Sequence, residues 1–176
     1  MKTSPRPETC RGCPADKWAV GFVPPEIPKS GSAQIAFCGQ GPGETEALYS
    51  IPFHPEAASG KMLTEWIHLA GLQRTEVLVT NLVWCWLPHH YEKGLPKGNR
   101  NPEPDEADYC YRAHLYPLLT RLGFDQPDHW IFTVGAPASE YLLGIEKSEP
   151  FLGTVSVVDL PLPKEPPINE PAASSE

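Results

Sequence analysis

Ala33-Gln34-Ile35-Ala36-Phe37-Cys38-Gly39-Gln40-Gly41-Pro42-Gly43 is an apolar run that ends in a glycine-rich turn. Ile35 to Cys38 form a short buried-strand pattern over 33–38, closed by glycine. The turn after it lets backbone approach a ligand closely and aims main-chain N–H groups at it. The Gly-Lys-Ser/Thr ending of a phosphate-binding P-loop is absent.

Downstream, Leu63, Trp66, Ile67 and Ala70 recur at spacings of three and four, which predicts a helix from Gly60 that Gly71 ends. Residues 77–83 are apolar and β-branched enough for a second buried strand, broken by Thr80 and Asn81. Residues 87–104 carry prolines and glycines without an apolar period and read as a loop. Pro104, Asp105 and Glu106 suit the first turn of a helix whose core face runs through Ala107, Tyr111, His114 and Leu115, with a kink before Pro117. A third strand is predicted over 130–134, a short helix over 137–143 and a fourth strand over 154–158. Strands alternating with helices predict an α/β chain: a three-layer α/β/α domain with a central four-stranded parallel sheet. It spans 1–158, with an irregular, proline-rich wrap over 1–32; the Pro-rich acidic stretch 159–176 reads as a disordered tail.

At 176 residues the chain suits one domain with a real core. Its formal charge of -8 and pI near 5.2 exclude a globally basic nucleic-acid coat, so any DNA contact must come from a local patch. No run is long and apolar enough to cross a bilayer, and residues 1–13 lack the apolar core of a secretory signal. The expectation is a cytoplasmic monomer with reduced thiols and no membrane partner.

Five cysteines in such a chain point to metal or free thiols. Cys10 and Cys13 form a Cys-x-x-Cys pair, Cys85 ends the second strand and Cys110 lies in a helix, so four thiolates from three elements would pin the wrap to the sheet. Zinc and an iron-sulfur cluster both accept four thiolates, and spacing leaves both open. Cys38, inside the first strand, reads as a free buried cysteine.

Glu44 and Glu46 follow the turn, where a carboxylate would orient or activate a water. Phe53 offers a face on which a base can stack, and Asn81 presents a donor and an acceptor together. In the long loop, Lys93, Lys97 and Arg100 stand among Trp84, Trp86, His89, His90 and Tyr91, a mixture that suits phosphate contact and base stacking.

These residues together resemble the iron-sulfur uracil-DNA glycosylases, the family 4 branch of the uracil-DNA glycosylase superfamily. The resemblance runs through Cys10-Arg11-Gly12-Cys13-Pro14, the turn from Gly39 to Glu46, Pro52-Phe53, Ser59-Gly60-Lys61-Met62-Leu63, Thr80-Asn81-Leu82-Val83-Trp84-Cys85, Asn99-Arg100-Asn101-Pro102 with Glu106, Cys110, and Val134-Gly135-Ala136. It implies a DNA repair hydrolase that flips uracil out of single- or double-stranded DNA and breaks its N-glycosidic bond. It further implies a 4Fe-4S cluster on Cys10, Cys13, Cys85 and Cys110. Gln40, Gly41 and Glu46 would then be catalytic, Pro42, Gly43, Phe53 and Asn81 would bind the base, and Lys93, Lys97 and Arg100 would contact DNA. The chain departs from the family pattern at Gln40, where the family has Glu, and it has no His-Pro motif with a following Leu-Arg after the last predicted strand. Loss of one leaving-group donor costs about 3 to 4 kcal/mol. The alternative is therefore a catalytically weak or inactive iron-sulfur relative that recognises a base without excising it.

Overall fold

The computed structural model describes residues 4–145 and 160–163. Among the described residues three parallel strands form the main sheet: β1 (Ile35–Gly39), β2 (Leu78–Asn81) and β5 (Trp130–Val134), in the order β2-β1-β5. Phe37 lies opposite Val79 on one side and Phe132 on the other. The fourth strand predicted over 154–158 lies outside the described residues.

Side chains on β1 alternate between faces, as a strand period of two requires. Ala36 and Cys38 join a core built with Leu78, Leu82, Ala107, Tyr111, Leu115 and Leu119. Ile35 and Phe37 pack with Val77, Val79, Leu63 and Ile67. The first core is covered by α3 (Pro104–Cys110), a π-helical turn (Tyr111–Leu115) and α4 (Tyr116–Arg121). The second is covered by α2 (Ala58–Leu69), whose Leu63 and Ile67 are 1% and 0% exposed, each burial worth about 1.5–3 kcal/mol. Helices thus sit on both faces of the sheet. α1 (Glu44–Tyr49) follows the glycine turn and α5 (Ala136–Leu143) follows β5.

The kink expected before Pro117 is the π-helical turn. Proline has no N–H to give to the carbonyl four residues earlier, and the backbone widens ahead of it.

The amino-terminal wrap runs antiparallel to the β2 edge and its continuation. Val20 and Trp86 exchange backbone hydrogen bonds of 2.8 and 3.0 Å, Val23 N–H reaches Trp84 O at 2.7 Å, and Glu26 and Val79 exchange bonds of 2.9 and 3.1 Å. An otherwise open sheet edge is covered in this way.

One expectation is corrected. The stretch read as a loop over 87–104 contains an antiparallel hairpin, β3 (His90–Glu92) with β4 (Leu95–Lys97). Its turn residues Lys93 and Gly94 both have positive φ, at 50° and 78°, as a hairpin-type turn requires. Of the stretch read as a disordered tail over 159–176, residues 160–163 are described: Leu160 packs against the first core, and Pro161 O accepts the Tyr111 hydroxyl at 2.8 Å. No helix among the described residues is long and apolar enough to cross a membrane.

Candidate active site and metal centre

The glycine turn leaves β1 at the carboxyl end of the sheet, where ligands gather in open α/β folds. Gly39 is tight against two side chains: a Cβ built on it would stand 2.5 Å from both Asn81 Oδ1 and the Phe53 ring. Three of the residues singled out by sequence therefore converge at one point. Asn81 is 3% exposed, and its Nδ2 has no hydrogen-bond partner. An unpaired buried donor costs about 1–3 kcal/mol, so its retention beside a glycine turn points to a ligand. Phe53 is 5% exposed, a wall of this site and not an outward platform. It sits at φ 48°, a conformation that costs a bulky residue energy and that concentrates at ligand clamps.

Glu46 shows how that conformation is held. It is the third residue of α1; Oε2 accepts the Gly43 N–H at 2.6 Å in a capping box, and Oε1 accepts the Phe53 N–H at 2.5 Å. Burial pushes its carboxyl above the ordinary range despite those two N–H groups. Glu46, expected as a carboxylate that orients water, joins the turn to the Phe53 loop through these two bonds.

Gln40 donates its amide N–H to Arg100 O at 3.1 Å, and a Cβ on Gly41 would lie 2.7 Å from Val83. Pro42 is buried, and Gly43 lies beside the Asn99 amide. Asn99 Oδ1 in turn accepts the Trp86 indole N–H at 2.7 Å, so the returning limb of the hairpin loop closes on the turn.

Lys93 stands at the tip of that hairpin and Lys97 on β4, while Arg100 is engaged elsewhere. Its guanidinium makes a bidentate pair with Glu106 at 2.6 and 2.7 Å, and a third bond to Asn101 O at 3.0 Å. Glu106 is 4% exposed; burial raises its carboxyl, but Arg100 and the Glu103 N–H outweigh that and hold it below the ordinary value. Arg100, expected to contact DNA, has its guanidinium bonded to Glu106 at the start of α3, which fastens the loop to that helix. Trp84 and Trp86, named with the loop's cations in a mixture suited to base stacking, are core residues at 8% and 0% exposed.

Cys10, Cys13, Cys85 and Cys110 line one cavity together with Phe22, Trp84 and His114. The Cys10–Cys13 turn is clamped from α3 by the Tyr109 hydroxyl, which donates to Arg11 O at 2.7 Å and Thr9 O at 3.2 Å. Burial pushes the Cys10 thiol up to about 11 and Cys85 to about 12, and Cys110 is raised well above its ordinary value. The thiols also raise one another: Cys13 acts on Cys10, both act on Cys85, and all three act on Cys110. Four sulfurs, Cys110 buried and the other three partly so, that repel one another as thiolates are a donor set that fits a cationic centre. Among the described residues no three His, Cys, Asp or Glu side chains are placed to hold a single metal ion. Cys38 is separate, fully buried in β1, with burial pushing it up to about 12.

His114 was assigned to a helix core face from sequence, yet it borders this cavity. Its signal is the spacing to Cys110, four residues on along one helical face. Burial pushes it down to about 4. An open hollow of about 440 Å³ on the outer face of α2, lined by Pro55, Lys61, Thr64 and Leu69, gathers none of the predicted site residues.

A sequence model described as the uracil DNA glycosylase superfamily matches residues 25–170. The chain is 36% identical over 134 residues to a type-4 uracil-DNA glycosylase of Saccharolobus solfataricus, covering 76% of this chain and 54% of that protein. It is 35% identical over 102 residues to the Archaeoglobus fulgidus protein of the same name (58% and 45% covered). With the Thermotoga maritima protein it shares 31% over 144 residues (82% and 66%). The chain spans about half the length of the curated relatives it matches.

Proposed function

The chain belongs to the uracil DNA glycosylase superfamily, in its type-4 group, and from that premise we propose that it excises uracil from DNA. The observation that carries this reading is the orphaned, buried Nδ2 of Asn81, a residue whose Oδ1 meets the Phe53 ring at the Gly39 position. An extruded uracil seated there places its ring against Phe53, gives Asn81 Nδ2 an acceptor at O4, and gives Oδ1 the N3–H. Cytosine presents an amino group and a bare ring nitrogen at the same two positions, so the carboxamide mismatches it at both.

Cleavage breaks the bond between C1′ and N1. The sugar becomes cation-like, the uracil leaves as an anion, water adds its hydroxyl to C1′ and its proton ends on the uracil. Such a reaction depends on electrostatic positioning more than on a strong base. Gln40 suits a neutral orienter: with its N–H tied to Arg100 O, the amide oxygen is the atom that would accept from the water. Gly41 allows close approach of the backbone, Pro42 and Gly43 shape the wall, and Glu46 keeps turn and Phe53 loop in register. Lys93 and Lys97 on the hairpin supply local positive charge for the phosphate backbone on a chain of net charge -8.

The four cysteines line one cavity, and four thiolates suit a 4Fe-4S cluster, each binding its own iron. The choice of iron over zinc rests on the resemblance of the cysteine motifs to the iron-sulfur glycosylases. When bound, the cluster would contribute structure: it would tie the wrap to the segment after β2 and to α3, and take no part in the bond cleavage.

The test is release of free uracil from a uracil-containing single strand and from U·G and U·A duplexes by anaerobically purified protein. Cleavage at uracil and not at thymine or cytosine is expected. Iron-loaded protein that leaves uracil in place on every substrate would overturn the proposal.

A further inference from the structure

His114 Nε2 lies 3.3 Å from Cys10 Sγ. Its ring is fixed in that direction: it stacks on Trp84 at 5.1 Å and 22°, and Phe22 meets it edge-on at 5.7 Å and 64°. Trp84 is itself anchored, donating its indole N–H to Asn81 O at 2.9 Å. A histidine that merely filled space would need none of this alignment toward sulfur. We infer that His114 is a positioning residue for the metal centre, donating Nε2–H to the Cys10 sulfur and thereby raising the cluster's reduction potential.

The chemistry follows from which partner owns a proton. A thiolate that ligates iron has none, so the contact requires the Nε2–H tautomer of the imidazole. A hydrogen bond to a ligating sulfur withdraws electron density from it, weakens its donation to iron and favours the reduced, more negative cluster. Cys10 is the thiol that the imidazole reaches, approaching it from the π-helical turn Tyr111–Leu115. This inference rests on the iron-sulfur reading of the four cysteines.

The test uses the full chain, purified anaerobically, with iron and sulfide assayed and the midpoint potential measured by spectroelectrochemical titration. His114→Leu should shift the midpoint to a more negative value, and His114→Gln, which keeps an N–H donor, should recover part of the shift. In wild-type protein labelled with 15N-histidine, pulsed EPR of the reduced cluster should show a weak histidine nitrogen coupling; this measurement decides the matter even where a variant loses its iron. An unmoved midpoint in an iron-replete His114→Leu protein, or no histidine coupling in the wild type, overturns the inference while leaving the cluster in place. Wild-type protein without iron and sulfide overturns the cluster reading and this inference together.

Discussion

Asn81 Oδ1 and Gly39 are packed so closely that no Cβ fits between them: the added atom would sit 2.5 Å from the oxygen and as close to the Phe53 ring. Gly39→Ala must therefore displace one or both residues of the proposed base site. Overpacking of this kind costs about 1–3 kcal/mol of stability, and misplacement by about 1 Å costs roughly a hundredfold in rate. Thermal denaturation and excision kinetics on the same preparation measure both; an alanine variant with unaltered kcat/KM would separate Gly39 from the site.

Asn81→Leu should dissociate stability from function. It removes a buried donor with no partner, so the folded state should hold or gain about 1 kcal/mol. Excision should fall by about 10²–10³, since a donor aimed at the leaving base is gone. Chemical denaturation with a uracil-release assay reads the two effects, and a variant that unfolds early while still cutting would refute the assignment.

Arg100 and Glu106 should behave as a structural couple. Arg100→Met leaves Glu106 buried without its partner and should cost about 3–5 kcal/mol, much of it recovered in Arg100→Met/Glu106→Leu. Because that guanidinium is already neutralised, the Lys93→Ala variant and not an Arg100 variant should flatten the salt dependence of DNA binding, by about 0.7–0.9 in log–log slope. Equal slopes for wild type and Lys93→Ala would remove Lys93 from the DNA contact.

Glu46 gives a pH signature whose sign is fixed. Its folded carboxyl titrates above the ordinary 4.5, so between the two values the folded state binds more protons than the unfolded one. The stability it contributes is full below 4.5 and is lost as pH rises through the folded value. Glu106 acts oppositely and lower, its contribution present above 4.5 and lost as pH falls through its depressed value. Glu46→Gln should flatten the upper window only; parallel melting-temperature profiles for the two proteins would contradict it.

Much of this architecture was legible because short-range pattern and long-range packing agree. The run at 33–38 became β1 at Ile35–Gly39, the run at 130–134 became β5, and the 137–143 helix appeared with one more residue. Asn81, Phe53 and Gly39 were singled out separately and meet in space. What was hidden depended on partners distant in sequence or on backbone conformation. Arg100 and Glu106 fall in one motif, but a motif does not say that the two side chains pair with each other. Glu46 looked like a catalytic acid because its two N–H partners, Gly43 and Phe53, become neighbours only when the turn folds back. The hairpin escaped because Lys93-Gly94 is not a strong turn pair and Pro96 weakens the strand pattern.

If the Asn81 carboxamide reads the base, NMR of its side-chain NH2 in 15N-asparagine-labelled protein registers the contact. Added uracil should shift that resonance in a saturable way while cytosine leaves it still. A resonance indifferent to uracil, in protein that excises uracil from DNA, would remove Asn81 from base recognition.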